Sequence, residues 1–100
     1  MELEFSGEVF TWRGPAPYFF VRVPDEEAAE IADNAALVTY GWGMVPVEVT
    51  IGDTVWTTSL WPKDGSYVVP LKDRIRDAEA IGEGDTVTVR LGIDLGAALP

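Results

Sequence analysis

One pattern occurs twice in this sequence and limits the folds open to it. An apolar strand is followed by a proline, a short helical segment, a pair of glycines and a second strand. The first copy reads "YFFVRV", Pro24, "DEEAAEIAD", "GWG" and "VPVEVTI", and the second reads "SYVV", Pro70, "LKDRIRDAEAI", "GEG" and "TVTVRL". One such unit cannot enclose a core alone, but two can. The sequence therefore predicts a structural duplication, with repeat units at about 18–51 and 66–91.

The other segments also predict strands. Residues 2–11 alternate between apolar residues on one face and glutamates on the other, as in a half-buried strand. Residues 45–51 and 54–61 flank the dipeptide "GD", which fits a two-residue hairpin turn. A further short strand is predicted at 36–40. Turns are predicted at 13–17 and 62–65.

Two short helices are predicted after the two prolines. The first, at 25–33, begins with three acidic residues, which suit the positive end of the helix dipole. Its apolar stripe consists of Ala28, Ile31, Ala32 and Ala35. In the second, at 71–81, Leu71, Ile75 and Ala78 are spaced to share a buried face. We expect both helices to dock on the strands, because helices this short are marginal alone.

Composition excludes several classes of function. The 100 residues suit one domain, and they include no Cys and no His. Transition-metal sites and Ser-His-Asp or Cys-His nucleophiles depend on those side chains, so the sequence predicts no metal, no cofactor and no catalytic residue. A net charge of −10 disfavours nucleic acid and anionic membranes as partners. The N-terminal segment alternates like a strand and lacks the apolar run of a signal peptide, so we expect a cytoplasmic protein.

The second unit resembles part of a known group of proteins. "YVVPLKDRIRDAEAIGEGDTVTVRL" is similar to the swapped-hairpin unit of AbrB- and MazE-like transcription factors and antitoxins. That unit has a strand, a proline, a short helix with a basic residue and a "GI..GD" turn into a final strand. The matching positions are Pro70, Arg76, Ile81, Gly84, Asp85, Val87 and Val89. Ala80 stands where glycine is usual.

The longer stretch 45–94 looks like a bacterial family, the domain of unknown function 1905. Its hairpin with a glycine turn, its "tSL.P.dG....P" segment, its helix and its GD turn occur here in order. Two departures are Gly52–Asp53 in place of "NG", and Asp73 where a lysine is expected. The resemblance implies an all-β, double-split barrel, or pseudobarrel, of two swapped-hairpin-like units with two short helices. It implies no activity. We expect one domain at 1–96 and a C-terminal tail at 97–100.

The segment "KDRIR" concentrates positive charge. Lys72, Arg74 and Arg76, with Lys63, are candidates for binding a phosphate or carboxylate. The alternative is stabilisation of the helix, in which Arg76 pairs with Asp73 or Glu79 at i, i+3. These charges can also pair with the acidic helix at 25–33. Exposed ion pairs are common and each contributes at most about 1 kcal/mol, which favours the structural role.

Four tryptophans occur at positions 12, 42, 56 and 61. Trp56 shares the parity of Leu60 and is predicted to lie in the core. Trp61 shares the parity of Ser59, and Trp42 lies between two glycines. An exposed Trp42–Trp61 patch would bind a planar ligand or a partner, whereas the alternative is that these rings anchor loops.

These observations favour a non-catalytic binding or protein-interaction module. Its candidate binding residues are Trp42, Ser59, Trp61, Lys72, Arg74 and Arg76. The partner is a protein or a small molecule. One alternative is an AbrB-like DNA-binding regulator or an antitoxin-like protein, and another is a small enzyme with an anion pocket at the barrel end. Because one chain carries both units, a monomer can close the barrel, and a homodimer is also compatible.

Overall fold

The computed structural model describes residues 1–12 and 18–95 of the chain. Within these ranges there are six strands and two helices. In chain order they are β1 (Glu2–Trp12), β2 (Tyr18–Arg22), α1 (Asp25–Asn34), β3 (Val45–Ile51), β4 (Thr54–Lys63), β5 (Ser66–Leu71), α2 (Asp73–Glu79) and β6 (Thr86–Gly92). Neither helix is long and apolar enough to cross a membrane. The predicted turn at 13–17 and the tail at 97–100 lie outside the described residues.

The strands form a closed antiparallel barrel in the order β1-β2-β5-β4-β3-β6. The ring closes at β6, which pairs with β1 from Glu2↔Gly92 to Glu8↔Thr86 and with β3 around Val49↔Leu91. The prediction of a mainly β barrel with two short helices is thus confirmed. The strands assigned to the two repeat units pair with each other, β2 with β5 and β3 with β6. The duplication, its swapped-hairpin character and the domain limits stay predictions.

Alternation of side chains places the core inside the barrel. Val9 lies opposite Val21, and Val21 lies opposite Val69 on the next strand. All three are buried, as is the predicted core residue Trp56. The glutamates of β1 occupy the other parity and are exposed. Burial of this apolar stripe provides the main driving force for closure of the barrel.

The two helices dock through fewer residues than the apolar stripes predict. In α1, Ala28 and Ile31 are buried but Ala32 is exposed. In α2, Ile75 is the buried residue, whereas Ala78 faces solvent and its predicted burial is wrong. The seven residues of α2 make fewer than two turns, which leaves room for one inward position.

Pro70 lies within β5 and does not end the strand as predicted. It pairs with Phe20 of β2, and β5 continues to Leu71. The ladder between β5 and β4 stops at Val68, so among the described strands β5 has a neighbour on one side only at Pro70. A missing N–H is tolerated at such an edge position.

The short strand predicted at 36–40 is absent from the structure. Residues 36–38 form a turn, and Tyr40 makes only an isolated bridge to Met44. Of the apolar residues in this segment, Val38 is buried whereas Leu37 is exposed.

Candidate functional site

A second apolar layer lies on the outer face of the barrel. Phe10 and Phe20 lie opposite each other on β1 and β2, and so do Trp12 and Tyr18. Their parity is opposite to that of Val9 and Val21, so the rings project outward. We call Phe10, Trp12, Tyr18, Phe20 and Trp61 the outer aromatic cluster.

Phe20 is the centre of the outer aromatic cluster. Its ring centroid lies 5.2 Å from that of Trp61 and 5.9 Å from that of Trp12. Tyr18 contacts both Phe20 and Trp61, at 6.4 Å and 6.3 Å. These are ordinary separations for attractive aromatic pairs. As a result, Phe20 is 0% exposed although it points away from the barrel interior. The surrounding rings therefore pack on a fully buried side chain.

A tight loop holds Trp42 beside this cluster. The backbone N–H of Tyr40 donates to the Met44 carbonyl at 2.9 Å, and the Met44 N–H donates to the Tyr40 carbonyl at 2.8 Å. The Tyr40 hydroxyl is hydrogen-bonded to the Ser59 hydroxyl of β4 at 2.6 Å. Gly43, at φ +92°, packs against Pro62, and this positive φ favours glycine. The loop therefore presents Trp42 at a defined place, where it is 95% exposed.

Two clefts adjoin at Trp61. The first, the aromatic cleft, has a volume of about 380 Å³ and is lined by Trp12, Trp42, Met44, Trp61 and Pro62. The second, the basic cleft, has a volume of about 560 Å³ and is lined by Tyr18, Phe19, Thr58, Trp61, Pro70, Leu71, Lys72, Asp73 and Arg74. Trp61 contributes to both, so the indole is a partition between them.

The comparisons with known proteins identify the family. The model of the family described as Domain of unknown function (DUF1905) matches residues 5–91. The chain belongs to this family. No curated protein matches the sequence. The matched range includes both clefts and every predicted site residue of this DUF1905 domain.

The site residues predicted for the DUF1905 domain do not all lie together in the structure. Trp42 and Trp61 meet in the aromatic cleft, and Lys72 and Arg74 lie in the basic cleft beside Trp61. Ser59 bonds to Tyr40 and so anchors the Trp42 loop. Arg76 lines neither of these two clefts.

Arg76 instead contacts Phe19 and Asp73. Its guanidinium carbon lies 3.6 Å from the centroid of the Phe19 ring, and its Nη2 donates to the carboxylate of Asp73. The i, i+3 pair predicted for Arg76 is therefore present. Among the described residues, no ion pair links α1 to α2, so the predicted pairing between the two helices is not seen.

The sequence did not identify two aromatic side chains that line the clefts, Trp12 and Tyr18. The signal for Trp12 was the parity of β1, because Phe10 and Trp12 share the outward face of the glutamates. An apolar pair on a solvent face indicates a second layer of packing. Tyr18 gives a weaker signal, since it precedes a strand whose parity is ambiguous in a run of four apolar residues.

The charge around the two clefts differs from that of the whole domain. Lys63 Nζ lies 3.8 Å from the centroid of the Trp12 ring, a cation–π contact. Lys72 and Arg74 are exposed at the far end. These three are among only seven basic residues in a chain of net charge −10. The described residues contain no group of three His, Cys, Asp or Glu that would hold a metal ion.

Proposed function

We propose that this domain is a non-catalytic binding module, and that its ligand occupies the aromatic cleft. The exposure of Trp42 supports this most directly. Burying a side chain of this size would stabilise the fold by at least about 2 kcal/mol, yet an anchored loop holds it in solvent. Tryptophan and tyrosine dominate the energetic centres of binding surfaces.

The packing beneath the cleft also supports binding. Trp12 and Trp61 rest on the fully buried Phe20, so they lose little freedom when a ligand arrives. Ordering a flexible side chain costs about 0.5–1.5 kcal/mol on association. Rings that are already fixed avoid most of that cost.

The alternatives receive less support. An AbrB-like DNA-binding regulator or a small enzyme with an anion pocket would depend on the basic cluster Lys72–Arg76. Within that cluster Arg76 is engaged by Phe19 and Asp73. A chain of net charge −10 also repels a phosphate backbone at long range.

A fragment screen observed by NMR tests the proposal. The four indole N–H signals of ¹⁵N-labelled protein report separately on each tryptophan. We expect planar aromatic fragments to shift the signals of Trp12, Trp42 and Trp61 but not that of buried Trp56. Trp42→Ala should weaken these fragments about fivefold or more, which corresponds to about 1 kcal/mol.

Leu37→Ala is the matched control, because Leu37 is 71% exposed and lines neither cleft. Its affinity for the same fragments should equal that of the wild type. Fragments that bind Trp42→Ala as well as the wild type, or that shift only signals elsewhere, would show that the aromatic cleft is not the binding surface.

A further inference from the structure

The two clefts form a row on the surface of the barrel. The shape of this row indicates the shape of the ligand that fits it. The exposed rings of Trp42 and Tyr18 line the aromatic cleft and the basic cleft, and the half-buried ring of Trp61 lies between them. Small-molecule sites bury most of the ligand surface in one concavity. A row of two clefts with exposed walls instead fits an extended chain that places one side chain on each side of Trp61.

Strand addition is not available at this surface. At Phe19 and Phe20, β2 already pairs with β1 on one side and with β5 on the other. Among the described strands, β5 has a free side at Pro70 in the basic cleft, but proline has no N–H to donate to an added strand. An extended peptide that lies over β2 therefore finds no free main-chain ladder. A polyproline II segment needs none, because its backbone is fully solvated and its residues repeat on the same side every third position.

The polar groups of the two clefts match such a segment. Among the described residues, none accepts a hydrogen bond from the indole N–H of Trp12, Trp42 or Trp61. An indole N–H can only donate, and a proline residue offers a carbonyl acceptor with no donor. Aromatic-lined grooves are also the surfaces that dock proline-rich segments in general.

The charge of the basic cleft favours one type of residue at the end of the segment that lies there. Lys72 and Arg74 are exposed in the basic cleft. The acid between them, Asp73, also lines this cleft and is 87% exposed, but it pairs with Arg76, so the positive charges of Lys72 and Arg74 exceed the negative charge in the cleft. This end of the row therefore favours acidic residues.

We propose that the occupant is a proline-rich segment of a partner protein in the polyproline II conformation, with prolines on both sides of Trp61 and an acidic residue beside Lys72 and Arg74. This inference rests on the proposed function and adds the chemistry of the partner. It predicts a preference that opposes the long-range field, since a net charge of −10 attracts basic peptides.

Three synthetic peptides test the inference. The first is decaproline, the second carries two glutamates at each end, and the third carries two lysines at each end. Charging both ends makes the comparison independent of the direction of binding. At physiological ionic strength we expect the acidic peptide to bind most tightly and the basic one least, with shifts at the indoles of Trp12, Trp42 and Trp61.

Variants separate the two contributions. Trp42→Ala should weaken all three peptides about tenfold or more, and Leu37→Ala should change none. Lys72→Ala and Arg74→Ala should each weaken the acidic peptide about two- to fivefold and weaken decaproline less than the acidic peptide. Trp42→Ala is preferred to Trp61→Ala, because Trp61 packs on Phe20 and its removal would also disturb the fold.

Several results would overturn the inference. The first is tighter binding of the basic peptide than of the acidic peptide, and the second is the absence of an indole shift with any peptide. The third is self-association in sedimentation that buries the three indoles in an interface between copies of the chain. If planar fragments bind the aromatic cleft and all three peptides do not, the proline-rich partner is wrong while the binding surface stands. If Trp42→Ala affects neither fragments nor peptides, the proposed function itself fails.

Discussion

At the scale of single residues, two neighbouring arginines have different roles. The side chain of Arg76 is 20% exposed, stacks on Phe19 and bonds to Asp73. Its Nε is buried with no hydrogen-bond partner in the part of the chain that the structure describes, which lowers the net gain from burial. Arg74 is exposed in the basic cleft. The resemblance to swapped-hairpin proteins emphasises Arg76, whereas the geometry makes Arg74 the residue available to a ligand.

Arg76→Ala should lower the free energy of unfolding by about 1–3 kcal/mol, because it removes a cation–π contact and the packing of the side-chain stem. Arg74→Ala, the matched control, should stay within about 0.5 kcal/mol of the wild type. Urea denaturation measures both. Equal stability of Arg76→Ala and the wild type, together with weaker ligand binding, would show that Arg76 belongs to the binding surface.

At the scale of elements, the helices end in different ways. The last turn of α1 leads into Ala35 at φ −101°, an ordinary value for alanine, and Ala35 is buried. The last turn of α2 leads into Ala80 at φ 53° and ψ 47°, in the left-handed region. Glycine is preferred at that position because a Cβ is strained there. The alanine at position 80, where the resemblance leads one to expect glycine, therefore carries a measurable cost.

Ala80→Gly should raise the free energy of unfolding by about 0.5–1 kcal/mol, because the relief of strain exceeds the entropy that glycine adds to the unfolded chain. Ala35→Gly should have the opposite sign, since it adds the same entropy, relieves no strain and removes a buried methyl group. Thermal and urea unfolding of both variants give the comparison. A loss of stability in Ala80→Gly would contradict the left-handed assignment.

At the scale of the whole molecule, repulsion among acidic residues opposes folding of the barrel. The chain has 17 acidic and seven basic residues. The described residues form four ion pairs, and each includes at least one partner that is mostly exposed. Exposed pairs contribute about 0–1 kcal/mol, which does not offset the repulsion of a large net charge. Screening of this repulsion should therefore stabilise the fold.

Raising sodium chloride from 0.05 M to 1 M should raise the melting temperature by about 4–8 °C, equivalent to about 1 kcal/mol for a domain of this size. Glu30 lies on α1 within three or four residues of Glu26, Glu27 and Asp33. Glu30→Lys should therefore stabilise the protein at low salt and reduce the effect of added salt. Glu30→Gln should fall between the two, and a melting temperature that falls with salt in all three proteins would contradict the argument.

Local patterns in the sequence account for most of the elements. The two-residue alternation in 45–51 and the turn at Gly52–Asp53 predict β3 with the observed bounds and its hairpin with β4. β4 continues to Lys63, two residues beyond the predicted end at 61, so the predicted turn at 62–65 is confined to residues 64–65. The glutamates of β1 identify its solvent face, and the absence of His and Cys limits the chemistry. These features depend on residues close together in the chain, so the sequence alone determines them.

Tertiary structure decides the candidate site. Trp12, Trp42 and Trp61 come from β1, a loop and β4, and they meet only because the barrel closes in one strand order. Whether Arg76 faces a ligand or Phe19, and whether Pro70 interrupts a strand, depends on which neighbours the register supplies. A contact between distant segments is set by packing of the whole chain, and local periodicity contains no information about it.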